Sequence, residues 1–200
     1  MDLALDASTP RLTLTAGKGA SIATFVSPEI RRGNRHLVEG WKAVLRRLRC
    51  ASSDLRNIYL TAGPGSFTGI RIGIAFAQGL AFGRAVRLHP VNTLLVLAMG
   101  RPGDGPILPV LPAGRGLWYA AVYEKKRAWV EMIPPAALGA KALVRMARTA
   151  RAVTLPPDGA LPMEAHFIHE PLSRILYDHR RSCPRVRGPV LPIYLKSLYD

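Results

Sequence analysis

Apolar and polar residues alternate through the first part of the chain. "RLTLTAG" (11–17) and "ASIATFV" (20–26) both keep the two-residue period of a half-buried strand, and the short segment Asp2–Asp6 precedes them. Gly17-Lys18-Gly19 supplies a tight turn, so the pattern predicts a meander of three strands. The period then lengthens. Leu37, Val38, Trp41, Val44, Leu45 and Leu48 recur three and four apart, with Arg35, Glu39, Lys42, Arg46 and Arg49 opposite. This is an amphipathic helix, interrupted only by Gly40 at a cost of about 1 kcal/mol against alanine. "NIYLTAG" (57–63) reads as a fourth strand, followed by a second helix, a short strand at Ala85–Leu88, a turn at His89-Pro90 and a third helix at Thr93–Met99.

The second helix is apolar nearly all round. Small residues at Gly69, Gly73, Ala77 and Ala81 make a smooth seam that another helix can approach, flanked by Ile70, Ile74 and Phe76. Ile72, Gly79 and Phe82 fill the far side, and the polar residues are only Arg71, Gln78 and Arg84. A helix of this kind is buried on two sides. One side covers a sheet, and the other needs the first helix, a second lobe or another molecule.

Three strands followed by helix, strand, helix, strand, helix suit a ribonuclease-H-like α/β core. "RPGDGP" (101–106) is a linker, after which "ILPVLP", "LWYAAVYE" and "AWVEMI" read as three further strands and Ala136–Thr149 as a helix. The topology starts again. Two lobes side by side predict an actin-like fold, with residues 1–100 in the first lobe and 106–200 in a smaller second one broken by Pro156-Pro157, Pro162, Pro171 and Pro184.

Composition narrows the function. With 48% hydrophobic residues in 200, the chain has ample material for a core, and its longest uncharged apolar run, Ile72–Gly83, is too short to span a membrane. No basic and apolar leader opens the chain, so the expected location is the cytoplasm. Cys50 and Cys183 are too few for a disulfide framework or a thiolate zinc site. The net charge is +15, and 22 of the 28 basic residues are arginine. Such a charge attracts polyanions, whether through a real RNA contact or merely as solvated basic faces. The basic residues concentrate in Arg31–Arg49 and Arg174–Arg187.

The turn Gly63-Pro64-Gly65-Ser66-Phe67-Thr68-Gly69 lacks the Gly-Lys-Ser/Thr ending of a nucleotide loop, the glycine spacing of a dinucleotide fingerprint and the Gly-x-Ser-x-Gly of a nucleophile elbow. Gly63, Gly65, Ser66 and Thr68 still place N–H groups and a hydroxyl cap at a helix start, where an anion could bind. The same residues equally serve a plain strand-to-helix turn. Asp2 and Asp6 offer carboxylates for magnesium or a base, without a mate beside them. His166 and His169 have the three-residue spacing of a helical metal pair but no His-Glu-x-x-His pattern, and no metal site is expected.

"AGPGSFTGIRIGIAFAQGLA" (62–81) resembles the signature of the TsaB/YeaZ family, bacterial proteins that take part in making threonylcarbamoyladenosine at position 37 of tRNA. "LALDAST" (3–9) and "LPIYLKS" (191–197) extend the resemblance. It implies a two-lobe actin-like (ASKHA) fold and a non-catalytic relative of the transferase TsaD, the alternative being a nucleotide-hydrolysing or peptidase-like enzyme of the same superfamily, for which the nucleotide-gripping lysine and zinc histidines are missing. Such relatives pair with TsaD, and with themselves as homodimers, through the first two helices. That places Leu37, Trp41 and Val44 with Gly69, Ile70, Gly73, Ile74 and Ala77 at the partner interface. The resemblance further implies the ATPase TsaE as a partner and tRNA as the eventual substrate, met indirectly or through the basic surface. No tightly bound cofactor is implied, and ATP or ADP with magnesium enters only at a joint with a partner. The chain departs from the family where Pro112-Ala113-Gly114-Arg115 replaces an aspartate-alanine-arginine turn, and where Asn34-Arg35-His36 replaces a histidine-serine pair.

Overall fold

The computed structural model describes residues 1–30, 36–101, 103–156, 161–183 and 189–195, with Glu29 and Ile30 described in backbone only. Arg31–Arg35, Pro102, Pro157, Pro184–Arg187, Lys196 and Ser197 from the features above lie outside the described residues. By their contacts the residues fall into two units, Met1–Asn92 with Pro171–Ile193, and Thr93–Glu170 with Tyr194–Asp200. The first unit is thus not contiguous. A cut near residues 100–106 places the segment after Pro171 in the second lobe, whereas its helix lies on the first sheet.

In the first unit, β1 (Asp2–Asp6), β2 (Arg11–Lys18) and β3 (Ser21–Ile30) form the expected antiparallel meander. β4 (Asn57–Thr61) and β5 (Arg87–Val91) extend it in parallel, giving the order β3-β2-β1-β4-β5. β5 therefore includes His89 and Pro90, which the sequence places in a turn. An edge strand tolerates proline because one side of its ladder has no partner. Register puts Leu5 opposite Leu14 and Leu60, and Leu14 opposite Phe25, so these side chains share one face. Onto that face pack α1 (Leu37–Leu48) and α2 (Phe67–Ala81). Gly40 is explained there, because a Cβ would run into Phe25 and Leu14.

The opposite face of β1 and β2 is also covered. α5 (Leu172–His179) lies across Thr13, Thr15 and Gly17. The Ser173 amide donates to Thr13 Oγ1 at 3.2 Å, and the Ser173 and Thr15 hydroxyls are 2.9 Å apart. Gly17 admits the Tyr177 ring where any Cβ would collide with it. β2 is thus buried on both faces, not half-buried as its alternation suggests. Its polar positions are threonines whose hydroxyls find partners in the helix, which keeps their burial tolerable.

The second unit opens with α3 (Thr93–Met99), every residue of which is buried. β6 (Pro106–Gly114), β7 (Leu117–Lys125) and β8 (Trp129–Gly139) form a second meander, and β9 (Arg151–Thr154) and β10 (His166–Phe167) extend it in parallel. The order β10-β9-β6-β7-β8 repeats that of the first sheet in reverse listing. The predicted helix from Ala136 starts later, since Ala136, Ala137 and Leu138 pair with Ala120, Tyr119 and Trp118, and only Ala140–Ala147 forms α4. The β7–β8 ladder, which begins at Trp129 and continues past Pro134-Pro135, overrides the helix preference of the alanines.

Candidate functional site

The glycine-rich turn is built against the chain's own backbone. β4 ends at Thr61, the Ala62 amide donates to the Val91 carbonyl at 2.9 Å, and Ile193 N–H donates to the Ala62 carbonyl at 2.7 Å. Gly63 (φ 112°) and Gly65 (φ 154°) adopt conformations that favour glycine, and a Cβ would strike the Ile193 carbonyl at the first and the Ser8 carbonyl at the second. Ser66 N–H donates to the Ser8 carbonyl at 2.7 Å, and Ser66 Oγ accepts from Gly69 N–H at 3.2 Å, capping α2. Thr68 is exposed on the first turn. The carbonyls of Ile193 and Ser8 close the space beside Gly63 and Gly65, and the Ser66 and Gly69 N–H groups are bonded within the chain.

Asp6 is fully buried beside this turn. Its Oδ1 accepts from Ser8 N–H at 3.0 Å, Ser8 Oγ at 2.7 Å and Thr61 Oγ1 at 2.6 Å, while Oδ2 accepts from Thr9 Oγ1. Its carboxylate is occupied in holding the β1–β2 connection to the end of β4. Asp2 is similarly engaged: Oδ1 accepts from Asn57 Nδ2 at 2.8 Å and Oδ2 lies 3.0 Å from Arg180 Nε. Asn57 Oδ1 in turn meets His89 Nε2 at 3.1 Å, and the His89 ring stacks on Tyr59. No sequence pattern announces this network, because its members are up to 178 residues apart. His166 sits in β10 and His169 beyond it, so the helical pairing their spacing suggests is not formed. Among the described residues no three His, Cys, Asp or Glu side chains gather as metal ligands.

The eight residues expected at a partner interface require a correction. Leu37, Trp41 and Val44 of α1, and Gly69, Ile70, Gly73, Ile74 and Ala77 of α2, are all buried. They face the first unit's own sheet. A Cβ at Gly69 would strike the Ala7 carbonyl, and one at Gly73 would come within 3.1 Å of Ala7 Cβ. The small-residue seam is real, yet what approaches it is the end of β1, so replacing Gly73 or Trp41 disturbs folding before it disturbs any binding. The exposed side of α2 is the opposite arc: Phe67, Thr68, Arg71, Ile72, Ala75, Gln78 and Gly79, with Phe82 just beyond the last turn. Phe67 is 54% exposed and Phe82 88%, and Val38 of α1 is 53% exposed. Arg71 lies over the Phe67 ring at 3.7 Å. Gly79 has nothing within 4 Å of where its Cβ would be.

Comparison with known proteins bears on this arrangement. The family model for TsaD, tRNA N6-adenosine threonylcarbamoyltransferase, matches residues 26–165. The TsaB protein of Bacillus subtilis, a tRNA threonylcarbamoyladenosine biosynthesis protein, is 40% identical over 86 residues, 42% of this chain and 38% of that one. Its Escherichia coli namesake is 29% identical over 126 residues, 62% of this chain and 54% of that one. The chain thus spans about half the length, or less, of these curated relatives. Two solved Pseudomonas aeruginosa structures share the fold, YeaZ and a protein described as similar to the peptidase YEAZ. Both are 22% identical, with TM-scores of 0.70 and 0.75, covering 97% and 98% of this chain and 99% of each of theirs. The doubled α/β sheet is accordingly one related to the actin-like superfamily. With more than half its residues matched by the family model and these relatives on either side, the chain belongs to the TsaD family, among its TsaB/YeaZ members.

Proposed function

We propose that the chain is a non-catalytic subunit that binds a TsaD-like catalytic subunit and supports threonylcarbamoyl transfer to adenosine 37 of tRNA. The observation that carries this reading is the outer face of α2, where Phe67, Ile72 and Phe82 are open to solvent around Ala75 and the bare Gly79. A glycine in the last turn of α2, whose Cβ would meet nothing in its own chain, has no packing reason there, and close approach by another helix gives it a use. A cluster of exposed aromatic and branched residues on one helix marks an interaction surface. The names of the relatives supply the pathway, and the engagement of Asp6 by four donors supports a role other than catalysis. In this reading a TsaE-like ATPase completes the assembly, and nucleotide with magnesium belongs at its joints.

Coexpression with the cognate TsaD-like subunit and size exclusion test the proposal. The wild-type chain is expected to co-elute with it, and Phe67→Ser with Phe82→Ser to weaken the complex by about 2 kcal/mol or more while leaving the melting temperature of the lone chain unchanged. Gly79→Leu, which points into solvent, should do the same by keeping a partner helix at a distance. Co-elution that survives all three substitutions, or a wild-type chain that only pairs with itself, would overturn the reading.

A further inference from the structure

α2 ends in a turn whose backbone is held on both flanks. The last carbonyls of a helix have no partner within it. Here the Gln78 carbonyl accepts from Phe82 N–H at 2.9 Å, and the Ala81 carbonyl from Arg84 N–H at 3.0 Å. The Leu80 carbonyl accepts from the Arg84 side chain, Nη1, at 3.1 Å. Val86 N–H donates back to the Arg84 carbonyl at 2.8 Å. Phe82 and Gly83 are therefore enclosed between the end of α2 and an arginine that is bonded to it. Gly83 holds φ 66°, in the left-handed region that favours glycine. Phe82 is 88% exposed and takes no part in the core of its unit.

The guanidinium of Arg84 reaches further than a helix cap needs. Nη1 also donates to Ser52 Oγ at 3.2 Å, and Nη2 donates to the Ser52 carbonyl. Ser52 opens the 3-10 turn Ser52–Asp54, in the segment through which the chain leaves α1. One planar fork thus joins the last turn of α2 to the exit of α1. The Arg84 side chain is half-buried, and these three acceptors are neutral oxygens. A single bond from a basic residue to a terminal carbonyl caps a helix but leaves its end free to shift against a neighbouring turn. A fork bonded to both elements fixes one against the other.

We infer that Arg84 is a positioning residue: it sets the direction in which Phe82 stands out from the end of α2, and with it the geometry of the apolar knob offered to the catalytic subunit. The inference rests on the reading of the outer face of α2 given above. An exposed aromatic anchor contributes to binding when it meets its pocket, and ordering it beforehand lowers the entropy lost on docking. Phe82 has no core contact to order it, so the held backbone on either side does so. Replacing Phe82 removes the knob. Replacing Arg84 keeps the knob and loosens its stem. The feature expected on the partner is an apolar socket, next to the surface that meets Ala75 and Gly79 on the same helix face.

The test is a double-substitution cycle, read by calorimetric titration of the full chain into the cognate TsaD-like subunit. Arg84→Met keeps most of the stem and removes the donors. It is expected to weaken binding about tenfold when Phe82 is present and by no more than about twofold in a Phe82→Ser chain, since a loosened stem has no effect once the knob is gone. Ser52→Ala removes one acceptor and is milder on folding, and it should weaken binding about threefold with the same dependence on Phe82. Ile175→Val, at a buried position of α5, is the control for stability and should lower the melting temperature while leaving affinity unchanged. The lone chain labelled with 4-fluorophenylalanine gives a second readout. Its Phe82 fluorine resonance, assigned by its absence in Phe82→Ser, should move towards the unfolded-chain position in Arg84→Met. Equal losses in the two backgrounds, no loss from Arg84→Met, the same loss in the Ile175→Val control, or an unmoved Phe82 resonance would overturn the role of Arg84. A wild-type chain that does not bind would overturn the docking face and this role together, whereas binding that Phe82→Ser weakens and Arg84→Met spares would overturn this role alone.

Discussion

Asp6 has no exposed surface, yet every partner it accepts from is a neutral donor: one backbone N–H and the hydroxyls of Ser8, Thr9 and Thr61. Hydrogen bonds to a charged acceptor are worth more than neutral ones, and a donor left buried without a partner costs about 1–3 kcal/mol. Removing the carboxylate therefore does its damage through what it strands. Asp6→Ala is expected to destabilise the chain by about 2 kcal/mol or more, because the hydroxyls of Ser8, Thr9 and Thr61 all lose their bond to the carboxylate at once, whereas Asp6→Asn keeps an oxygen in place and should cost less. Urea unfolding of both variants reads the difference. Equal and small losses would mean that water replaces the carboxylate and that the connection between β1 and β4 is held by something else.

At the scale of the element, α2 carries the same residue type on two sides for two reasons, and one substitution separates them. Gly69→Ala would push a Cβ against the Ala7 carbonyl and should destabilise, while Gly79→Ala meets open space and should gain about 0.5–1 kcal/mol from helix propensity. Thermal melts of the two variants should move in opposite directions. Shifts of the same sign would mean that α2 does not pack as described. The pair also shows where the sequence is legible. The α1 stripe is readable because it is one-sided, and Leu37, Trp41 and Val44 are buried as amphipathicity requires. α2 is apolar on both sides, so its period shows burial without saying which arc meets the sheet. Its small-residue seam serves equally for a strand end or a foreign helix, and here it receives Ala7. α5 was not legible at all. Its partners on β2 lie about 160 residues away, and prolines on either side of its short run disguise it as loop. The hydrogen bonds of Arg56 and Arg84 to the Ser52–Asp54 turn were not legible either, since they form only once the strands are in register.

For the whole molecule, a net charge of +15 with mostly arginine stays high well into alkaline pH, because guanidinium groups do not titrate there. Three of the groups that do respond are buried. Burial pushes the Cys183 thiol up to about 12 from its ordinary 9.0, and raises the Tyr123 phenol through burial first and the nearby Glu131 charge second. Burial likewise raises Tyr177. In each case the folded chain holds its proton where the unfolded chain has released it, so the unfolded state binds fewer protons and stability falls as pH rises. For Cys183 the loss begins near pH 9 and continues towards about 12, at up to ~1.4 kcal/mol per pH unit once the unfolded thiol is ionised. Urea midpoints measured between pH 8 and 10.5 should therefore decline, and Cys183→Ala should flatten the decline of the first unit even though it lowers stability at pH 8. Tyr123→Phe should do the same for the second unit at the upper end of that range. A Cys183→Ala chain whose midpoints fall with pH as steeply as the wild type would show that the thiol meets water in the native state. In that case iodoacetamide at pH 8 would label Cys183 as readily as the half-buried Cys50.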